Sequence, residues 1–268
     1  MRIIGDDLTQ IAEENHHITT ELFEETKERN ARIKPLKLCI TNASSQTCYG
    51  LIGSLARGDT LGLDTDISLH LLDSEEHQLA LQGVEMEARD VAGKVLHDVM
   101  VTADLETAFS DCAFVVLADE LERQADESKE DFLRRAHDHY AKYIAAIETS
   151  AKEDVRVVIM SCGSCPANFI AASMLRCATR LTSKQIVASS QLVENHAKGV
   201  LAGKVKVNRL GVENVVVWGN VGGTHVIDTS VARLYDYDGA VWGQRPFFLP
   251  LQEILADPAW LNSQFVRY

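Results

Sequence analysis

A doubly wound α/β parallel sheet followed by a smaller α+β region is the fold class this chain predicts, and three observations lead to it. Short, almost wholly apolar strand segments alternate with helical patterns from residue 37 onward. Strands that are apolar throughout, rather than at every second residue, belong in a parallel sheet covered on both faces. After about residue 190 the segments become shorter and the pattern less regular, which marks the change of architecture.

Residues 6–32 are polar and helix-favouring, with Asp6 or Asp7 as a cap and Leu8, Ile11, Ile18 and Leu22 at roughly helical spacing. They predict an amphipathic helix packed on the domain that follows, with a separate docking role as the less favoured alternative, and Pro35 ends it. Strands are then predicted at Leu38–Thr41, Ile67–Leu72, Val99–Thr102, Phe114–Leu117, Val155–Met160 and Ile186–Ala188. Helices are predicted between them at about 47–57, 76–95, 126–152 and 166–180. Beyond 190 come a helix at about 192–203, the strand Val215–Trp218, short strands near 224–234 and a helical start over Leu249–Leu255. This divides the chain into an N-terminal helical segment (1–35), a sheet domain (36–190) and a second region (191–268).

Composition narrows the partners. Twenty-six basic against 39 acidic residues leave a net charge of −13, which disfavours nucleic acid and anionic membranes as partners and repels small dianions unless local cations intervene. No apolar run of 18 residues occurs, and the first residues lack the long apolar region of a signal peptide, so the expectation is a cytosolic protein. The six cysteines sit mostly in apolar contexts, as in reducing compartments. Cys162 and Cys165 have a Cys-x-x-Cys spacing at a strand-to-helix junction, but there is no second pair for a structural metal site and no thioredoxin-like order of elements. His16, His17, His137 and His139 lie on polar helical stretches and are read as solvated side chains.

The first strand runs into Thr41, Asn42, Ala43, Ser44, Ser45, Gln46 and Thr47, where a dinucleotide-binding sheet would carry a glycine-rich turn. Such glycines let backbone amides approach a pyrophosphate at the helix N-terminus. None is present. Asn42 tolerates a left-handed conformation, so the turn can survive, but Cβ atoms now project where phosphate would sit. The second strand ends in Asp73, at the distance where such folds hold the adenosine ribose. An aspartate there equally serves as a helix cap.

The stretch from Leu81 to Asp90, together with Leu71-Leu72-Asp73, Asp104–Phe109, Val155–Met160, Asn195, Ala197-Lys198 and Val215–Asn220, is similar to the lactate/malate dehydrogenase family, colinearly from about residue 36 to 266. The N-terminal helix and degenerate turn look most like a divergent malate-dehydrogenase-like branch found in ciliated animals. The resemblance implies a Rossmann-like domain followed by an incomplete second domain, because the chain stops well inside the family's second domain. It also implies apolar surface there that a partner would cover, unless the chain is a fragment.

Family residues can be carried over one at a time. The histidine that follows the family's Trp-Gly-Asn is Val221, and its partner aspartate is Val193. Hydride transfer needs a group to take the hydroxyl proton, and an isopropyl group cannot. His225 is the one imidazole near this strand end that could substitute. Of two substrate-clamping arginines, Arg123 survives and the other is Lys129, in a stretch that also carries Glu120, Glu122, Asp126, Glu127 and Glu130. The family's Asn-Pro is Cys165-Pro166, and its Asn-Arg is Asn195-His196. The reading is therefore a catalytically inactive dehydrogenase-like scaffold whose partners are proteins, axonemal subunits or a homodimer-like twin, in the cytoplasm or cilium. No cofactor is expected, with any NAD binding weak and placed at Asn42, Ser44, Ser45, Gln46 and Asp73. The alternatives are an NAD-dependent 2-hydroxy acid dehydrogenase using His196 or His225 as base with Arg123 as carboxylate ligand, and a non-catalytic NAD sensor.

Overall fold

The structure is a computed structural model, and it describes residues 19, 20, 22, 34–91, 93–160, 166–220, 224–235, 248–255, 257–263 and 265. Of the predicted N-terminal helix only Thr19, Thr20 and Leu22 are among them, helical and exposed; the rest lies outside the described residues. Six strands form one parallel sheet: β1 (Leu36–Thr41), β2 (Ile67–Leu72), β3 (Leu96–Thr102), β4 (Phe114–Leu117), β5 (Arg156–Met160) and β6 (Ile186–Ser189). Their order is β3-β2-β1-β4-β5-β6, so the winding reverses between β1 and β4. Ligands of open parallel sheets bind at such a reversal, beyond the carboxyl ends of the strands.

The strands alternate faces. On β1, Leu38 and Ile40 enter one core cluster and Cys39 the other; on β2, Ile67, Leu69 and Leu71 face one way and Leu72 the other. Helices α1 (Gln46–Ala56) and α2 (Gln78–Val91) cover the first face through Cys48, Ile52, Leu55, Leu81 and Ala88. Helices α4 (Lys129–Ser150) and α5 (Ala167–Cys177), with the short α3 (Leu105–Phe109), cover the second through Phe109, Tyr140, Ile144, Ile147, Ile170 and Met174. Each fully buried Leu or Ile of this kind contributes about 1.5–3 kcal/mol of apolar transfer free energy, which explains why the sheet dominates the fold.

Polar side chains secure the helix ends. Ser128 caps α4, its Oγ accepting from Asp131 N at 3.1 Å and donating to Asp131 Oδ2 at 2.6 Å. Near the other end, the Glu148 carboxylate accepts from the amides of Thr179, Arg180 and Leu181 and from Thr179 Oγ1. Arg180 in turn donates to the carbonyls of Ile147, Ala151 and Lys152, so the α5–β6 connection and the end of α4 satisfy each other.

The predicted helix over 76–95 is shorter in the structure, ending at Val91, and β3 begins three residues early at Leu96. The cause is Gly93, where the chain passes so close to the end of α1 that a Cβ would lie 1.7 Å from Ala56 O. Leu249 and Pro250, expected to open the helix over Leu249–Leu255, belong instead to strand β11 (Phe248–Pro250), held by antiparallel pairing. The rest of the second region comprises α6 (Gln191–Val205), β7 (Val212–Glu213), β8 (Val216–Gly219), β9 (His225–Asp228), β10 (Arg233–Tyr235), α7 (Leu251–Leu255) and α8 (Pro258–Ser263). Strands β11-β10-β7 form one antiparallel sheet and β8-β9 a hairpin. A third core cluster joins Ala197, Leu201, Val212, Val215, Leu234, Leu251 and Phe265.

His70, in mid-strand on β2, is buried, and its Nδ1–H donates to Ala108 O at 2.7 Å. Burial lowers its pKa, so the folded chain holds it neutral. Its contribution is therefore present above the unfolded value of about 6.5 and is lost as pH falls below it, because the unfolded chain then binds the extra proton. His70→Asn retains a donor near Nδ1. In urea titrations, the stability advantage of the natural chain over this variant should shrink from pH 7.5 to pH 5; a constant or growing advantage would contradict the assignment.

Candidate functional site

The reversal point between β1 and β4 is where the sequence placed its candidate cofactor residues, and the structure brings Asn42, Ser44, Ser45 and Gln46 together with Asp73 there. Asn42 takes the left-handed conformation expected of it, at φ 51°. Its Nδ2 donates to Ala118 O across the gap to β4, at 3.2 Å. Ser45 caps α1, its Oγ accepting from Cys48 N at 3.3 Å, and Gln46 opens the helix exposed to solvent.

Asp73 is 9% exposed and satisfies neither sequence reading in its simple form. Its Oδ2 accepts from Ser44 N at 3.0 Å and Ser44 Oγ at 2.6 Å, and its Oδ1 from Ser74 N at 2.8 Å and His77 Nδ1 at 3.0 Å. A carboxylate has about four lone-pair sites, and all four are in use. Burial alone would raise this carboxyl, but the hydrogen bonds from Ser44, His77 and Ser74 outweigh it and hold the pKa below the usual range. Asp73 is thus a latch between the end of β2 and the β1–α1 turn. The Ser44 amide, which a phosphate at this turn would need, is already occupied.

A second carboxylate joins the two halves of the sheet, and sequence reasoning missed it. Asp119, two residues beyond the end of β4, is buried. Its Oδ2 accepts from Thr41 Oγ1 at 2.6 Å, and its Oδ1 from Tyr143 Oη at 2.9 Å and His139 Nε2 at 3.2 Å. Thr41 Oγ1 also accepts from Ala118 N at 3.0 Å. Burial, then the Asp119 charge, pushes the Tyr143 phenol well up, so it remains a donor. One residue further, Thr47 Oγ1 donates to Glu120 Oε1 at 3.3 Å. The signal available in the sequence was an acid immediately following an apolar run. His139, read as solvated, is instead half-buried in this network, and His137 hydrogen-bonds Ser173.

The remaining candidates lie on other elements. Lys129 is the exposed first residue of α4, and Arg123 lies in the preceding segment with its Nε donating to Glu127 O at 2.7 Å. On α6, Val193 is half-buried, His196 is exposed, and Asn195 Oδ1 accepts from Gln191 Nε2 at 3.4 Å. Val193 and His196, three apart on a helix, share a face. The β8 end is positioned by Asn168, on α5, whose Nδ2 donates to Gly219 O at 3.0 Å. Gly219 itself is required: its φ is 110°, and a Cβ would lie 2.6 Å from Thr224 O. His225 pairs with Gly219 across the hairpin. Val221, Cys162 and Cys165 lie outside the described residues. Among the described residues no cluster of three metal-binding side chains occurs, and no helix is long and apolar enough to cross a membrane.

The lactate/malate dehydrogenase NAD binding domain family matches residues 36–188. The chain belongs to that family. It is 34% identical over 265 residues to a protein named "Putative malate dehydrogenase 1B" from Branchiostoma floridae, a match covering 99% of this chain and 50% of that protein. The chain spans about half the length of the curated relatives of this name that it matches. Among solved structures, an apo lactate dehydrogenase variant from Trichomonas vaginalis superposes with a TM-score of 0.76 at 25% identity, covering 88% of this chain and 66% of that one. The same organism's lactate dehydrogenase in complex with NADH and oxamate gives 0.72 at 24%, covering 87% and 66%.

Removing the Asp73 charge should loosen this edge of the sheet. Asp73→Asn leaves one acceptor where two served four donors, so at pH 7 a loss of about 2 kcal/mol is expected, the scale of an unmet buried hydrogen bond to a charged group. Because the folded pKa is depressed, the contribution is present above about pH 3.9 and is lost as pH falls through the folded value. Urea unfolding of both proteins at pH 7 and pH 3 checks this; equal stability at pH 7 would mean that the latch carries nothing.

Proposed function

We propose that this chain is a catalytically inactive member of its family, a dehydrogenase fold kept as a binding or scaffold module whose ligands are other proteins. The observation that carries the reading is the joint loss of the proton-transfer pair, with Val221 after Trp218-Gly219-Asn220 and Val193 on α6. Neither valine can hold or orient a proton, and no titratable group replaces both. His196 stands one turn beyond Val193, where a guanidinium would grip a carboxylate by two parallel bonds, a geometry that imidazole lacks. Axonemal subunits are the partner class, and the cytoplasm or cilium the location, that this proposal carries forward.

The same reading holds that NAD binds weakly or not at all. The residues present fit the dinucleotide poorly. A ribose hydroxyl reaches Asp73 only by displacing Ser44 or His77, and the opening between β1 and β4 is bridged by Thr41–Asp119 and Asn42–Ala118. Family membership and the NADH-bound relative argue the other way, toward a retained cofactor site. One observation favours a second reading, an active dehydrogenase of altered specificity: His225 sits opposite Gly219, beside the strand end that would carry the acid/base.

Two measurements separate these readings. Purified protein should not reduce oxaloacetate with NADH above background, since losing a cooperating catalytic set commonly costs several powers of ten. Turnover that disappears in His225→Ala would establish the second reading instead. In calorimetry, NADH should bind no tighter than the high micromolar range, and Asn42→Gly with Ser44→Gly should strengthen it by freeing the turn; sub-micromolar binding by the natural sequence would refute the proposed loss of the cofactor.

A further inference from the structure

The segment between β4 and α4 corresponds to the family's substrate loop, and its bonding in this chain is unlike that of a loop free to move. At its start, Asp119 is held by Thr41, Tyr143 and His139. In its middle, Leu121 packs against the core cluster containing Phe109, Tyr140 and Ile144. At its end, Arg135 on α4 forms two parallel bonds to Glu127, Nε to Oε1 at 2.9 Å and Nη2 to Oε2 at 2.8 Å, and Nη2 also donates to Glu122 O at 2.8 Å. Glu127 in turn accepts from Gln124 N at 3.1 Å, and its carbonyl accepts from Arg123 Nε at 2.7 Å.

We propose that residues 119–128 form a fixed strap across the carboxyl edge of the sheet, not a lid that opens and closes, and that Arg135 is the positioning residue that fastens it. A lid requires ends with few contacts and low opening free energy. Here both ends are tied to strand and helix side chains, and the one clamping arginine that the family resemblance leaves, Arg123, is turned back onto the strap's own backbone. The Arg135 guanidinium lies 5.4 Å from the Phe132 ring centre, which limits its rotamers before Glu127 is met. The hydrogen bonds from the Arg135 guanidinium hold the Glu127 carboxyl down at about 2, so the fastening persists across the physiological pH range.

Trypsin reads the strap directly, because cleavage after Arg123 requires the strap to open locally. On the full chain under native conditions, Glu127→Ala should speed cleavage after Arg123 roughly tenfold, the factor expected for a modest loss of local opening free energy, with cleavage elsewhere unchanged. Arg135→Lys, which keeps charge but not the two-pronged geometry, should fall between. NADH with oxaloacetate should not alter the natural chain's cleavage. Amide exchange of the natural chain gives an independent check, with Gln124 and Glu127 exchanging slowly. The proposal is overturned if Arg123 is cut equally fast in all three proteins, if NADH with oxaloacetate protects it, or if Gln124 and Glu127 exchange at unstructured rates.

Discussion

Two aspartates at strand ends hold the carboxyl edge of this sheet together, and the rest of the site follows from what they bind. A buried carboxylate has to be fully hydrogen-bonded, since leaving a charge unmet in a protein interior costs several kcal/mol. Asp73 meets that demand with the Ser44 amide and hydroxyl, and Asp119 with Thr41, Tyr143 and His139. The first draws its donors from the β1–α1 turn, and the second takes one from Thr41, the last residue of β1 before that turn. That turn is the place where a parallel sheet of this order offers its amides to a phosphate. Its Ala43, Ser44 and Ser45 amides are bonded inside the protein.

The same logic extends outward along the edge. Because Asp119 is fixed, the segment after it starts from a fixed point. Because Glu127 is gripped by Arg135, the segment ends on one too. On the other side, Asn168 and Gly219 tie the start of α5 to the end of β8. The strand order is thus that of an open parallel sheet with a reversal point, and the side chains at its carboxyl edge bond to one another.

The sheet was readable in the sequence because parallel strands buried on both faces must be apolar throughout, and Ile67–Leu72 and Phe114–Leu117 are. Element limits that failed did so for tertiary reasons. The end of α2 is set by the close passage of Gly93 over Ala56 O, and β11 exists because β10 pairs with it. Neither is a property of the local segment. The absent glycines of the turn, the left-handed Asn42 and the position of Asp73 were also legible. What those residues do was not. Asp73 was weighed as a ribose ligand or a helix cap, and its partner Ser44 lies 29 residues away. The sequence leaves Asp119 without a role and reads His139 as solvated because their partners are brought together only when α4 packs on the sheet.

The central claim is that the crevice between β1 and β4 is filled by the protein's own hydrogen bonds. A crystal structure grown at millimolar NADH tests it most directly. The account predicts Asp73 still bonded to Ser44 and His77, Thr41 still bonded to Asp119, and no dinucleotide density between the two strands. Density for a pyrophosphate at the Asn42–Gln46 turn, with Ser44 displaced and a ribose hydroxyl on Asp73, would contradict it.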